Sequence, residues 1–199
     1  MPEKADEKPK EPLTDTDRFM AGYAGKSAMQ AIERDGVLAH IPETGWVLEI
    51  GTLCGVSVSY WARNRPQVQF VSLDPFIRGT GTGPGNEENW RTNAQSNQQL
   101  IIGKSCDMVI QKSGAYLSFF DVVIIDGDHH RDWCFFDCVN AHWLVKPSGK
   151  IIVHDYGREE KHLLGVTQAV DRFCLFAGYE IADRCKTLAV LKRKAINGA

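Results

Sequence analysis

Two short apolar runs, Trp46-Val47-Leu48-Glu49-Ile50 and Asp121-Val122-Val123-Ile124-Ile125-Asp126, most constrain how this chain can fold. Each has strand length, and each carries an acid at or near its C-terminal end. A strand that is apolar on both faces must be covered on both faces, as in the middle of a parallel sheet. The first run leads into Gly51-Thr52-Leu53-Cys54-Gly55 and a helical pattern. The second leads into Gly127-Asp128-His129 and another helical pattern. Acids delivered to the C-terminal ends of neighbouring parallel strands mark the edge where such sheets bind ligands.

The rest of the chain continues the alternation. Strands are expected at 46–50, 68–73, 99–102, 121–125 and 150–154, and helices at 55–64, 105–113, 131–144 and 160–177. The runs 179–182 and 187–192 lie too close for a helical crossover, so they should form a hairpin that adds one antiparallel strand. A helix should open near Thr16 or Asp17 and run toward Ile32 or beyond, with Gly36 and Pro42 punctuating the path to the first strand. Pro147-Ser148-Gly149 reads as the turn into the fifth strand. The fold class is therefore α/β: a doubly wound, seven-stranded, mostly parallel sheet. Residues 1–15, charged and proline-rich, read as a disordered tail before a single domain spanning 16–199.

One segment breaks the rhythm. Residues 77–98 are rich in Gly, Asn and Thr, and follow the second strand at the ligand edge. A polar insertion of this length reads as a lid or binding loop, in which Trp90 either closes over an acceptor or simply anchors the loop.

The bulk properties narrow the function classes. A net charge of −2 gives no basic stripe for a nucleic-acid backbone. No apolar run reaches the ~20 residues that span a bilayer, and the N-terminus carries no signal-peptide core. Six scattered cysteines in a chain of 199 residues read as reduced thiols of a cytoplasmic protein. The expected partner is a small hydroxylated molecule, without nucleic acid or membrane. A homo-oligomer is compatible with the sequence.

The glycine loop lacks the G-x-G-x-x-G dinucleotide fingerprint. Glu49 would repel a pyrophosphate but suits a cationic ligand. Further along, Ser72-Leu73-Asp74 ends the second strand with an acid where ribose hydroxyls are bound. A ribose, a positive charge and no phosphate together describe S-adenosylmethionine (SAM).

The stretches "LEIGTLCGVSVSYWAR", "SLDPF", "IIGKSCDMV" and "IDGDHHRDWCFFDCVNAHWLVKPSGKIIVHDY" resemble the class I SAM-dependent O-methyltransferases. The similarity is to the small-molecule branch, which includes catechol-type and macrolide-sugar enzymes. It covers roughly residues 16–192 and is most specific from Ile125 to Tyr156. It implies strand order 3-2-1-4-5-7-6. It places SAM against Glu49, Gly51 and Asp74, with Thr52, Gly55, Ser57 and Asp126 in the same set and Ser105 beside the adenine. In catechol-type relatives the first acid after strand four and an acid after strand five hold Mg²⁺, an Asn follows, and a Lys three places after the first acid is the base. By this resemblance Asp126 and Asp155 match the metal acids, His129 falls on the Lys position, and Tyr156 replaces the Asn.

The chemistry agrees with those residue types. A histidine can take the proton of an acceptor hydroxyl, and a divalent cation can lower that hydroxyl's pKa. His129 is the expected base, and His154 is its runner-up or a metal ligand. Oxygen donors suit Mg²⁺, whereas acids mixed with imidazole also suit Mn²⁺, Fe²⁺ or Zn²⁺. His130, Cys134 and Cys138 recur on one helix face and read as packing rather than structural zinc. Two other classes remain in view: an NAD(P)-dependent oxidoreductase on a similar sheet, and a SAM-binding module without catalysis.

Overall fold

The computed structural model describes residues 22–25, 27, 29–77, 84–111 and 115–195. Seven strands form one sheet: β1 (Gly45–Ile50), β2 (Val68–Asp74), β3 (Gln98–Ile102), β4 (Phe120–Ile125), β5 (Val145–Val153), β6 (Tyr179–Cys185) and β7 (Leu188–Arg193). Their order is β3-β2-β1-β4-β5-β7-β6, as expected. β1 to β5 run parallel, and β7 lies antiparallel to both β5 and β6.

Both faces are covered, as the apolar strands require. Leu48, Ile50, Val123 and Ile125 pack on one face with Cys134, Cys138, Val170 and Phe173. These contacts come from α5 (Arg131–Leu144) and α6 (Leu164–Ala177). Val47, Val122 and Ile124 pack on the other face with Val37, Val58 and Trp61. Those belong to α1 (Ala31–Leu38) and α2 (Val56–Asn64). The alternation along each strand decides which helices its residues meet. Glu49 points to the α1/α2 face, in step with Val47.

Three boundaries differ from expectation. The expected tail and most of the helix expected from residue 16 lie outside the described residues. The helix that is described begins later, at Ala31, where Glu33 Oε2 accepts a hydrogen bond from Gln30 N at 3.0 Å. Gly36 does not end that helix but sits inside it. A side chain there would lie 2.9 Å from Cys185 Sγ, so the glycine lets α1 approach the β6–β7 hairpin. β5 starts earlier than expected, at Val145. Phe120 pairs with Val145 and Val122 with Lys150, so a bulge absorbs Pro147-Ser148-Gly149 within the strand.

The polar insertion contains α3 (Pro84–Asn93). A further helix, α4 (Ser105–Gln111), follows β3. Trp90 of α3 is buried, and a side chain at Gly55 would lie 2.4 Å from its ring. Asn93 Nδ2 donates to Cys54 O at 2.8 Å, and Cys54 Sγ donates to Asn86 Oδ1 at 3.1 Å. The described part of the insertion thus buttresses the glycine loop from behind. Of the two readings of Trp90, closing over an acceptor is corrected and anchoring the loop stands, because its ring is packed against Gly55.

If α3 belongs to the cooperative core, Trp90→Ala should lower the stability measured by urea unfolding by about 3–5 kcal/mol, the cost of emptying a buried aromatic site. A loss below about 1 kcal/mol would show α3 to be a detachable cover.

Candidate active site

The C-terminal ends of β1 to β5 surround one cleft of about 900 Å³. Glu49, Gly51, Thr52, Ser57, Asp74, Ser105, Asp126, His129 and Asp155 all line it. Gly55 and His154 do not. Gly55 starts α2 with φ +71° and gives way to Trp90, so its lack of a side chain serves packing rather than ligand approach.

Gly51 also needs its missing side chain for a reason other than the ligand. Its φ is +85°, and a Cβ there would sit 2.4 Å from Asp126 O and 2.5 Å from Gly127 Cα. The β1 and β4 loops touch backbone to backbone, and Asp126 N donates to Ile50 O at 2.8 Å. Asp74 holds the other side of the loop. Its carboxylate accepts from Thr52 N at 3.1 Å, Leu53 N at 3.3 Å and Phe76 N at 2.8 Å. A carboxylate offers about four acceptor positions, so Asp74 shapes the loop and keeps capacity for a ribose hydroxyl.

Glu49 is buried at the cleft floor and accepts from Ser72 Oγ at 3.0 Å. Burial, reinforced by Asp126 and Asp74, pushes its pKa up to about 8. Without a cation beside it, the carboxyl is protonated at neutral pH.

At the far end of the cleft, Asp126, His154 and Asp155 offer ligand atoms within 4.8 Å of one another. These atoms also satisfy each other. His154 Nδ1 lies 2.9 Å from Asp126 Oδ1 and 3.3 Å from Asp155 Oδ2. His154 Nε2 lies 3.3 Å from Glu33 Oε2. Burial opposes the charge on His154, but the Asp126, Asp155 and Glu33 carboxylates overcome it and push its pKa up to about 12. Burial likewise opposes ionisation of Glu33, yet bonds from His154, Thr187 and Gln30 hold it down to about 2. Asp155 lies well below the usual carboxylate range, because His129 and His154 outweigh its burial.

His129 Nε2 lies 3.1 Å from Asp155 Oδ2, and that carboxylate raises its pKa. Arg158 Nη1 reaches Asp155 Oδ1 at 3.4 Å. Tyr156, at the position of the relatives' Asn, turns its hydroxyl to Asp171 Oδ1 at 2.9 Å and supplies no ligand here. Asp128 instead fixes the turn into α5, accepting from His130 N at 2.8 Å. His130 is exposed and joins neither Cys134 nor Cys138 in a metal-binding group among the described residues.

Three of the five described non-glycine residues with positive φ lie at the same edge, the others being Ser118 and Lys186. Leu53 (φ +49°), Phe76 (φ +44°) and Asp155 (φ +60°) are non-glycine residues in the left-handed region. Such conformations persist where surrounding structure holds them, commonly around a functional site.

Residues 48–156 match the model of a methyltransferase domain family. The chain belongs to this methyltransferase family. No curated protein sequence matches it. Solved methyltransferase structures share its fold. A Staphylococcus aureus protein named for caffeoyl-CoA O-methylation aligns with TM-score 0.66 and 14% identity over 84% of this chain and 86% of its own. Cofactor-bound Rv0187 from MTB aligns with TM-score 0.61 and 20% identity over 87% and 85%. MycE from the mycinamycin pathway, solved with Mg, SAH and mycinamycin VI, aligns with TM-score 0.63 and 16% identity. That alignment covers 94% of this chain but 57% of MycE. The fold and the methyltransferase family expected from the sequence are thereby borne out, and the dinucleotide-dependent alternative falls away.

Glu33, Arg158, Asp137 and Asn140 reach this methyltransferase cleft or its charge network without having been singled out from the sequence. Glu33 is 121 residues from His154 in the chain, and no local pattern announces such a contact.

A protonated Glu49 must ionise to accept a cationic ligand. SAM binding at pH 7 is therefore expected to release up to one proton. The check is calorimetric titration in buffers of different ionisation enthalpy. Glu49→Gln should abolish the release, and binding by the parent without proton release would contradict the assigned protonation state.

Proposed function

We propose that this methyltransferase transfers a methyl group from SAM to a hydroxyl of a small molecule, a sugar or a phenol. One observation carries the reading: acids from β1, β2, β4 and β5 border a single cleft, and half-buried His129 stands at the β4–β5 end of it. Glu49 and Asp74 are the proposed anchors for the cofactor's cationic and ribose parts. Thr52, Ser57 and Ser105 line the walls between them. SAM, when bound, supplies an electrophilic methyl on a sulfonium.

This chain's own residues then have to bind the acceptor, orient it and take its proton. His129 is the proposed base. Asp155 Oδ2, 3.1 Å from Nε2, favours the protonated form that results from the transfer. Its partial exposure gives the proton a route to solvent. The neighbours solved as O-methyltransferases support the hydroxyl acceptor by analogy of fold.

A divalent cation is proposed as an aid at Asp126, Asp155 and His154. Two carboxylates and an imidazole within 4.8 Å fit such an ion. Because His154 is held protonated among carboxylates, the ion would replace its Nδ1 proton, making uptake proton-coupled. Bound there, it would lower the pKa of the acceptor hydroxyl.

Methyl transfer from labelled SAM should be seen with at least one member of a panel of phenols, sugars and hydroxy acids. SAM binding without transfer to any of them would favour the non-catalytic module. With an acceptor in hand, His129→Ala should lower kcat by ~10²–10⁴-fold, the usual contribution of a positioned base, with SAM affinity nearly unchanged. Near-parental kcat would place the base elsewhere.

The metal has its own test. EDTA should remove activity and Mg²⁺ or Mn²⁺ restore it, with Asp155→Ala inactive under both conditions. Full turnover in EDTA would remove the ion from the reaction.

A further inference from the structure

The imidazole of His154 is held on two sides, and one side is held by a residue far away in the chain. His154 follows β5 and is 4% exposed. Its Nδ1 lies 2.9 Å from Asp126 Oδ1 and 3.3 Å from Asp155 Oδ2, and its Nε2 lies 3.3 Å from Glu33 Oε2. Glu33 belongs to α1 and is 1% exposed. Its Oε2 also accepts from Gln30 N at 3.0 Å, and its Oε1 accepts from Thr187 Oγ1 at 2.6 Å. Both oxygens are thus tied down, one to the start of α1 and one to the turn between β6 and β7. The carboxylate is fixed against the ring. Burying such a group costs free energy, and proton transfer at His129 makes no use of it.

Glu33 decides what each ring nitrogen can do. An ionised carboxylate only accepts hydrogen bonds, so the ring keeps a proton on Nε2. Nδ1 is then the atom left for the cleft, and it is the one that faces Asp126 and Asp155. A carboxylate on the outer nitrogen of a metal-binding histidine fixes its tautomer and orientation and makes the inner nitrogen a stronger donor. The donor set at this end of the cleft is therefore two carboxylates and one strengthened imidazole nitrogen. Mg²⁺ prefers oxygen ligands and gives up water reluctantly. Imidazole nitrogen suits first-row transition ions.

We propose that Glu33 is a positioning residue that makes His154 a metal ligand through Nδ1, so that the cleft selects a divalent first-row transition ion over Mg²⁺. The inference rests on the proposed cation site at Asp126, His154 and Asp155.

The test uses the full chain, freed of metal and without acceptor. Mn²⁺ binding is followed by loss of the free ion's electron paramagnetic resonance signal, and Mg²⁺ binding by its competition with Mn²⁺. The parent should hold Mn²⁺ more tightly than Mg²⁺. Glu33→Gln keeps the shape of the side chain but not its charge. It should lower Mn²⁺ affinity by about 10–100-fold, the usual cost of losing such an outer partner, and Mg²⁺ affinity by less, so that the preference shrinks. His154→Asn, which replaces the nitrogen donor by an amide oxygen, should lose the preference with Glu33 still in place. A Glu33 that only ties α1 to the hairpin would shift the urea midpoint and leave the ratio of the two affinities parental, which would overturn the proposal. Mg²⁺ binding to the parent as tightly as Mn²⁺ would overturn it too, without need of either variant should they fail to fold. If the parent binds neither ion, the cation site fails together with this inference. If Mn²⁺ is preferred and Glu33→Gln keeps the parental ratio, only the role of Glu33 fails.

Discussion

The backbone contact between the β1 and β4 loops is the constraint on which the rest of the site depends. Gly51 has no room for a Cβ because Asp126 and Gly127 occupy that space, and Asp126 N is bonded to Ile50 O. The contact brings the carboxyl of Glu49 and that of Asp126 to one floor, close enough for Asp126 to raise the cost of ionising Glu49. It also aims the turn that carries His129. A second close approach fixes that turn from the other side. A side chain at Gly165 would lie 2.4 Å from His129 O, so the start of α6 rests directly on the segment that carries the histidine. The position of the proposed base is thus set by two glycines distant in the chain, each allowing backbone where a side chain would otherwise stand.

The cleft is balanced electrostatically by groups of the chain itself. Asp126, Asp155 and Glu33 converge on His154, while His129 and Arg158 face Asp155. Buried carboxylates without partners would be costly. At the β4–β5 end imidazole and guanidinium groups answer them, backbone N–H groups answer Asp74, and burial holds Glu49 toward its neutral form. The cleft therefore holds two kinds of acid. Those at the β4–β5 end are paired with cationic side chains, and the one at the β1 floor is pushed toward the neutral form by burial. That division follows from burial and neighbours rather than from residue type.

Much of this was legible in the sequence because it is local. Strands β1, β2 and β4 announce themselves by apolar residues on both faces, and the acids at their ends follow from the same segments. The hairpin of β6 and β7 follows from a spacing too short for a helix. The resemblance to methyltransferases added the strand order and the acid after β5. What could not be read depends on contacts between distant segments. Gly36 looked like a helix stop, but it is a close approach to Cys185. Gly55 looked like part of the ligand loop, yet the space beside it belongs to Trp90. The polar insertion hid a helix because few of its residues are apolar, and its one large aromatic is what anchors it. Asp137 sits in a helix whose pattern speaks only of packing, and its bond to Ser105 joins residues 32 apart.

Glu33 accepts from Thr187 Oγ1 at 2.6 Å while its other oxygen faces His154. The first described helix and the final hairpin thus close on a single imidazole at the rim of the cleft. In topological terms the chain is stitched into a ring there, although no covalent bond closes it. A circular permutation that opened the chain elsewhere would preserve every counter-charge of that imidazole. Trimming the N-terminal side past Glu33 would leave it with one anion fewer, and trimming the hairpin past Thr187 would remove the hydroxyl that fixes that anion, so the wear of the chain's extremities reaches the chemistry directly.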